Sequence, residues 1–225
     1  DVQIWPDNCV LYNQSYASIC SFSCPTGKQI SGPSSALCGI RGDWNEDVNE
    51  VSCNECQEAL GMEKRAISDR QISASSQLDA NHEASQGRLN LKGSWSAYAN
   101  DAEQWLQIDL GINPVTVTGV ATQGSNFQSQ WVTNYMLKYS DDGLNFQLYK
   151  QQGQSEHKVF VGNTDENTIV YNEFNGSIVA RYTRFQPTAW HNHISMRVEL
   201  YGCKGTFFVN ILLLWNSEKI QTNPC

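Results

Sequence analysis

Cys56 and Cys203 enclose a long stretch without a cysteine, while the other six cysteines stand outside it at positions 9, 20, 24, 38, 53 and 225. A cysteine-free window of that length has to be held by its own hydrophobic core, whereas a short cysteine-dense segment lacks core area and relies on cross-links. The chain therefore divides near Cys53-Asn54-Glu55-Cys56. This gives a disulfide-rich segment over 1–54, a larger module over 55–203 and a tail over 204–225. A chain of 225 residues accommodates one or two domains.

The composition, 40% hydrophobic and 11% aromatic, supplies an ordinary globular core to the larger module. An even number of cysteines with this clustering implies an oxidising compartment. Asp1-Val2-Gln3 has neither a basic nor an apolar leader region, so the chain reads as a mature secreted, extracellular protein. The sequons Asn13-Gln14-Ser15 and Asn175-Gly176-Ser177 fit that compartment and mark Asn13 and Asn175 as candidate glycosylation sites. The apolar run from Phe207 to Trp215 falls well short of the roughly 20 residues of a spanning helix. It is expected to pack against the larger module or a second subunit, which leaves a homo-oligomer open. A formal charge of −8 and the absence of any basic run longer than a pair argue against nucleic acid as a partner.

From Trp105 to Tyr201 apolar residues alternate with polar ones between Gly, Asn, Asp and Pro turns. Leu106, Ile108 and Leu110 alternate with Gln107 and Asp109, and Met196, Val198 and Leu200 alternate with Arg197 and Glu199. Period two bounded by turn residues is the pattern of half-buried strands, and Asp142-Gly143 is a hairpin signal. Many short antiparallel strands predict an all-β sandwich or jelly roll. The polar stretch from Leu78 to Lys92 breaks the rhythm and is expected to be a long loop. Such loops are uncommon in compact sandwiches unless they bind something. A second polar loop, Gln123 to Gln130, carries one aromatic, Phe127.

Several motifs stand in order within the window: Ile72-Ser73-Ala74-Ser75-Ser76, Gln104-Trp105-Leu106-Gln107-Ile108-Asp109-Leu110-Gly111, Val117-Thr118-Gly119-Val120 and Met196-Arg197-Val198-Glu199-Leu200-Tyr201-Gly202-Cys203. On these motifs the window resembles a discoidin domain, also called the coagulation factor V/VIII type C domain. The resemblance implies an eight-stranded jelly-roll β-sandwich, a Cys56–Cys203 disulfide joining its first and last residues, and ligand binding by loops protruding from one end. The N-terminal segment, with Cys20-Ser21-Phe22-Ser23-Cys24-Pro25, Cys38, Gly42-Asp43-Trp44 and Cys53, resembles part of a sushi module. Its six-cysteine variant implies Cys9–Cys20 and Cys24–Cys53. Cys38 and Cys225 are then left over, to bond with each other or, through Cys225, with a second chain.

Other chemistry is weighed against plainer readings. Cys53-Asn54-Glu55-Cys56 has redox or half-zinc spacing, but Glu50 and Glu55 disfavour a thiolate and no second cysteine pair exists. His191 and His193 are expected to serve a structural turn. With no nucleophile elbow, zinc-protease motif or phosphate loop, the chain is expected not to be an enzyme. Arg41-Gly42-Asp43 spells an integrin-recognition tripeptide and offers an alternative, protein-mediated adhesion.

In the first protruding loop Asp79, Asn81, His82 and Glu83 suit sugar hydroxyls, and an aromatic face can cover the apolar side of a sugar. The candidate contacts are Asp79, Asn81, His82, Glu83, Arg88 and Phe127, and the expected partners are cell-surface or matrix glycans and glycoproteins. Discoidin domains that bind anionic phospholipid resemble one another in apolar loop tips ringed by basic residues, which makes phospholipid the third reading. No cofactor is required. In related sugar-binding modules a calcium sits at an Asp-Gly that is Gln86-Gly87 here, leaving Asp79 as the candidate ligand for Ca2+.

If Cys38 bonds Cys225 within the chain, non-reducing electrophoresis shows a monomer. A covalent dimer would instead assign Cys225 to a bond between chains.

Overall fold

The computed structural model describes residues 2–5, 17–24, 28–39, 41, 43–113 and 115–204. The chain forms two compact units, Asp1–Glu55 with Thr206–Cys225, and Cys56–Gly205. Cys9, Asn13, Gly42, Cys225 and the apolar run Phe207 to Trp215 lie outside the described residues, and with them the expected Cys9–Cys20 and Cys38–Cys225 pairings.

In the first unit the strands are β1 (Gln3–Trp5), β2 (Ile19–Ser23), β3 (Lys28–Ser31), β4 (Ser35–Leu37) and β5 (Ser52–Glu55). They form a sheet of order β1-β2-β4 and a β3-β5 ribbon. Cys20, Phe22 and Ala36 form a small buried cluster with Trp44, Val48 and Val51 against it. The Cys24–Cys53 disulfide, with Cα atoms 5.6 Å apart, adds the kind of cross-link on which small disulfide-rich units rely.

The second unit is an all-β sandwich. Its strands are β6 (Glu58–Ala59), β7 (Ile72–Ala74), β8 (Trp95–Ser96), β9 (Leu106–Asp109), β10 (Val115–Gln123), β11 (Trp131–Ser140), β12 (Gln147–Leu148), β13 (Val159–Val161), β14 (Val170–Ala180), β15 (Tyr182–His191) and β16 (Ser195–Lys204). One sheet runs β14-β10-β16-β6 with β8 also on β16, and the other runs β12-β11-β15-β9-β7 with β13 also on β11. These strands outnumber the eight the resemblance implied, and β6, β8, β12 and β13 among them are two- or three-residue pairings along longer strands. All pairings between these strands are antiparallel.

The facing sides of the two sheets supply the core. Leu106 and Ile108 of β9, Tyr135 and Leu137 of β11, Phe185 of β15, and Met196, Val198 and Leu200 of β16 are all fully buried. Tyr135, Tyr149, Phe160 and Phe174 form an aromatic cluster with ring centroids 4.6 to 5.7 Å apart, within the range where aromatic pairs add to burial. Cys56–Cys203 closes the unit, with Cα atoms 5.2 Å apart. Beside it, Gly202 lies so close to β10 that a Cβ would overlap the Thr116 carbonyl oxygen.

One departure from the alternation is informative. Arg197 and Glu199 occupy the polar positions of β16, yet they are 3% and 0% exposed. The outer face of that strand is covered by loops rather than water. Glu199 accepts backbone hydrogen bonds from Gly61 (3.1 Å), Met62 (3.0 Å), Glu63 (2.9 Å) and Leu200 (3.0 Å). A buried carboxylate is tolerated when its lone pairs are filled in this way. Arg88 crosses the same loop, its Nη1 donating to Met62 O (2.9 Å).

Glu199→Gln puts an amide donor among these four donors. It is expected to lower stability by about 2–3 kcal/mol in equilibrium urea unfolding with disulfides intact; an unchanged midpoint would contradict this account.

Candidate functional site

At one end of the sandwich, hydrogen bonds draw together loops from four parts of the chain. The first leaves β7. Leu78 N donates to Ser96 O (2.9 Å) and Ser96 N to His82 O (3.3 Å), so the turn between them is anchored on β8. Within it Asp79 Oδ1 accepts from Asn81 N (2.7 Å) and from His82 Nδ1 (2.8 Å). The His82 hydrogen bond, then that from Asn81, holds the Asp79 carboxyl below its ordinary pKa. The turn therefore presents a charged carboxylate with an imidazole already oriented beside it.

The second loop follows β8. Tyr98 N donates to Ser76 Oγ (3.0 Å), and Asn100 Oδ1 accepts from Ile194 N (2.9 Å). The third runs from Gly124 to Gln130, where Ser125 N donates to Gln130 O (2.9 Å) and Asn126 Oδ1 accepts from Gly93 N (3.2 Å). The fourth turns between β15 and β16. His193 Nε2 lies 2.7 Å from Ala97 O, Asn192 Nδ2 donates to Ser129 O (2.7 Å), and His191 stacks on Trp131 with centroids 4.1 Å apart. Both histidines thus serve the turn.

Beneath the loops lies Arg197. Its Nε donates to Gly124 O (2.7 Å), Nη1 to Leu91 O (3.3 Å) and Nη2 to Glu166 O (2.7 Å) and Asn167 Oδ1 (3.4 Å). It makes no ion pair among the described residues, and burial pushes its pKa down. The guanidinium fork is spent on carbonyls from three segments, which fixes them relative to β16.

Of the residues proposed from sequence, Asp79, Asn81, His82 and Glu83 share the first loop, and all but the half-buried His82 are exposed. Phe127 is 70% exposed at the tip of the third. Arg88 needs correction as a ligand contact. It is 1% exposed, and its guanidinium is consumed by Ser85 O, Met62 O and an ion pair with Asp69 (2.6 Å). A basic residue in a polar stretch looks like a surface group, but here the loop folds back over it. Asp79, the candidate calcium ligand, is engaged by Asn81 and His82, and no group of three or more His, Cys, Asp or Glu converges among the described residues. Arg41 and Asp43 are exposed in the first unit.

Sequence reasoning missed Tyr98, 71% exposed in the second loop. It follows the buried Trp95-Ser96-Ala97 without any alternation to mark it. With Leu78 (37%) and Phe127, it gives this end three exposed apolar side chains. The exposed charges of the first two loops are Asp79, Glu83, Asp101 and Glu103, with Lys92 as the cation between them.

A family model for the F5/8 type C domain matches residues 71–200. Coagulation factor VIII of Sus scrofa is 40% identical over 173 residues, which is 73% of this chain and 8% of that protein. Lactadherin of Bos taurus is 41% identical over 169 residues, 67% of this chain and 38% of that protein. Among solved structures, recombinant discoidin II of Dictyostelium discoideum superposes with a TM-score of 0.56 at 29% identity, covering 62% of this chain and 57% of that one. The chain therefore spans less than two thirds of the length of each of these relatives.

Because the Asp79 carboxyl is held below its ordinary pKa, the turn's hydrogen bonds are complete above the carboxylate range and lost as pH falls through the lowered pKa. The side-chain carboxyl carbon shift of Asp79 is expected to titrate below the ordinary Asp range of about 3.9, and a transition at or above that range would contradict the turn's hydrogen bonds. In Asp79→Asn that acid transition is absent.

Proposed function

The chain belongs to the F5/8 type C domain family, and we propose that it is a secreted, non-enzymatic recognition protein whose second unit binds cell-surface or matrix glycans through its loop end. The observation that carries this reading is the oriented Asp79–His82 pair, 2.8 Å apart, on a turn anchored to the strand that leads into the exposed ring of Tyr98. A carboxylate accepts two hydrogen bonds from neighbouring sugar hydroxyls, an imidazole supplies a further partner, and an aromatic face covers the apolar side of the ring. Because the turn is already closed on Asp79, little ordering is left to oppose binding. We read the first unit as a sushi-like appendage, a reading supported by the Cys24–Cys53 bond.

A second reading, insertion into an anionic phospholipid surface, is favoured by the exposed Leu78, Tyr98 and Phe127. The electrostatics oppose it. Asp79, Glu83, Asp101 and Glu103 surround these tips in a chain of net charge −8, whereas adsorption to anionic lipid draws on basic residues worth about 1 kcal/mol each near the surface.

A glycan array and a phosphatidylserine vesicle pull-down separate the two. The expected result is array binding that weakens about tenfold, the equivalent of one lost hydrogen bond, in Asp79→Asn and in Tyr98→Ala, with no vesicle binding. A silent array together with vesicle binding that Phe127→Ala removes would replace the glycan reading with the lipid one.

A further inference from the structure

Among the described residues a few buried polar side-chain atoms have no hydrogen-bond partner, and Ser177 Oγ is one of them. Ser177 lies in β14, the edge strand of its sheet. There the register against β10 breaks. Glu173 stands opposite Gly119 and Ile178 opposite Val117, so Phe174, Asn175, Gly176 and Ser177 together face Thr118 alone. A bulge of this kind lifts residues out of the ladder, and Gly176, with φ +96°, takes the left-handed conformation that glycine adopts without strain.

Asn175 is exposed on this bulge. Its carbonyl is fixed by Gln152 N (2.8 Å) and Tyr149 Oη (3.0 Å), while among the described residues nothing bonds its side-chain amide. Burying a hydroxyl without a partner costs about 1–3 kcal/mol, and alanine would occupy the position without that cost. No contact among the described residues calls for a serine here. The sequence does, since Asn175-Gly176-Ser177 has the form of an N-glycosylation acceptor with a residue other than proline in the middle. In such an acceptor the hydroxyl is needed on the unfolded segment, before the strand buries it.

We propose that Asn175 carries an N-linked oligosaccharide and that Ser177 is kept for the acceptor motif rather than for the fold. The donor is an oligosaccharide on a lipid pyrophosphate. A bond forms between Asn175 Nδ2 and the anomeric carbon, the bond from that carbon to the pyrophosphate breaks, the pyrophosphate leaves with the electron pair, and one amide proton passes to base. Asn175 is exposed where β14 faces Thr118 in the middle of β10, five residues before Gln123 leads into the third loop, so this site does not depend on the glycan-binding reading.

The test is made on the full chain secreted from a eukaryotic cell. Peptide mapping at residue 175 avoids confusion with the Asn13 sequon. The expected result is a glycopeptide at Asn175 that peptide N-glycosidase converts to the Asp form, that is lost completely in Asn175→Gln and in Ser177→Ala, and that persists in Ser177→Thr. A bare Asn175 in the secreted wild-type chain would overturn the proposal. The second half is read by comparing Asn175→Gln with the double variant Asn175→Gln, Ser177→Ala, both unglycosylated at 175. The double variant is expected to melt at the same temperature or higher, and a lower melting temperature would show that the hydroxyl serves the fold.

Discussion

The guanidinium of Arg197 is the interaction on which the arrangement of the binding end depends. Taking a charge out of water costs several kcal/mol even after relaxation, and here no carboxylate offsets it among the described residues. Carbonyls do so instead, from Leu91, Gly124 and Glu166, with Asn167 as a fourth acceptor. Each of these segments must be in place for the charge to be tolerated, so the three form a cooperative set. Two residues on, and therefore on the same face of the strand, Glu199 collects backbone N–H groups from Gly61 to Glu63. One strand thus organises the covering loops of the sandwich with a buried cation near its start and a buried anion at its middle.

This division of labour separates the scaffold of the site from its chemistry. The backbone groups of the four loops, and side chains such as Asn100, Gln130, Asn192 and His193, are occupied in holding the loops to one another. The residues at the tips carry little of that burden. Leu78, Tyr98 and Phe127 project into solvent, and only Asp79 and His82 bond each other. Tips of this kind can change without disturbing the frame, so ligand choice on such a sandwich rests with a handful of exposed side chains on rigid loops. In this chain those side chains combine carboxylates with aromatic rings, which suits hydroxyl-rich ligands better than anionic surfaces.

The bulge in β14 follows a different logic. Many buried positions in the sandwich are explained by contacts, as Gly202 is by the Thr116 carbonyl and Tyr135 by the stacked Phe160. Ser177 has no such explanation within the folded state. What sets Ser177 apart from the other unpaired buried atoms is its place two residues after the exposed Asn175 in an acceptor motif, a requirement met on the unfolded chain.

Much of this was legible in the order of residues. The cysteine-free window marked the larger unit, and period-two runs such as Leu106-Gln107-Ile108 and Tyr135-Met136-Leu137 became strands with the expected faces buried, because alternation is a local consequence of the pleat. The Asp79–Glu83 loop was legible too, since it is polar where strands would alternate. What the sequence could not decide is whether a polar face meets water or another part of the chain. Arg88, Arg197 and Glu199 look like surface residues along the chain, yet loops close over them, while Tyr98 looks like core and projects into solvent. Periodicity assigns side chains to faces using neighbours two residues away. Covering those faces depends on segments such as Leu91, Gly124 and Glu166, far apart in sequence, and only tertiary structure brings them together.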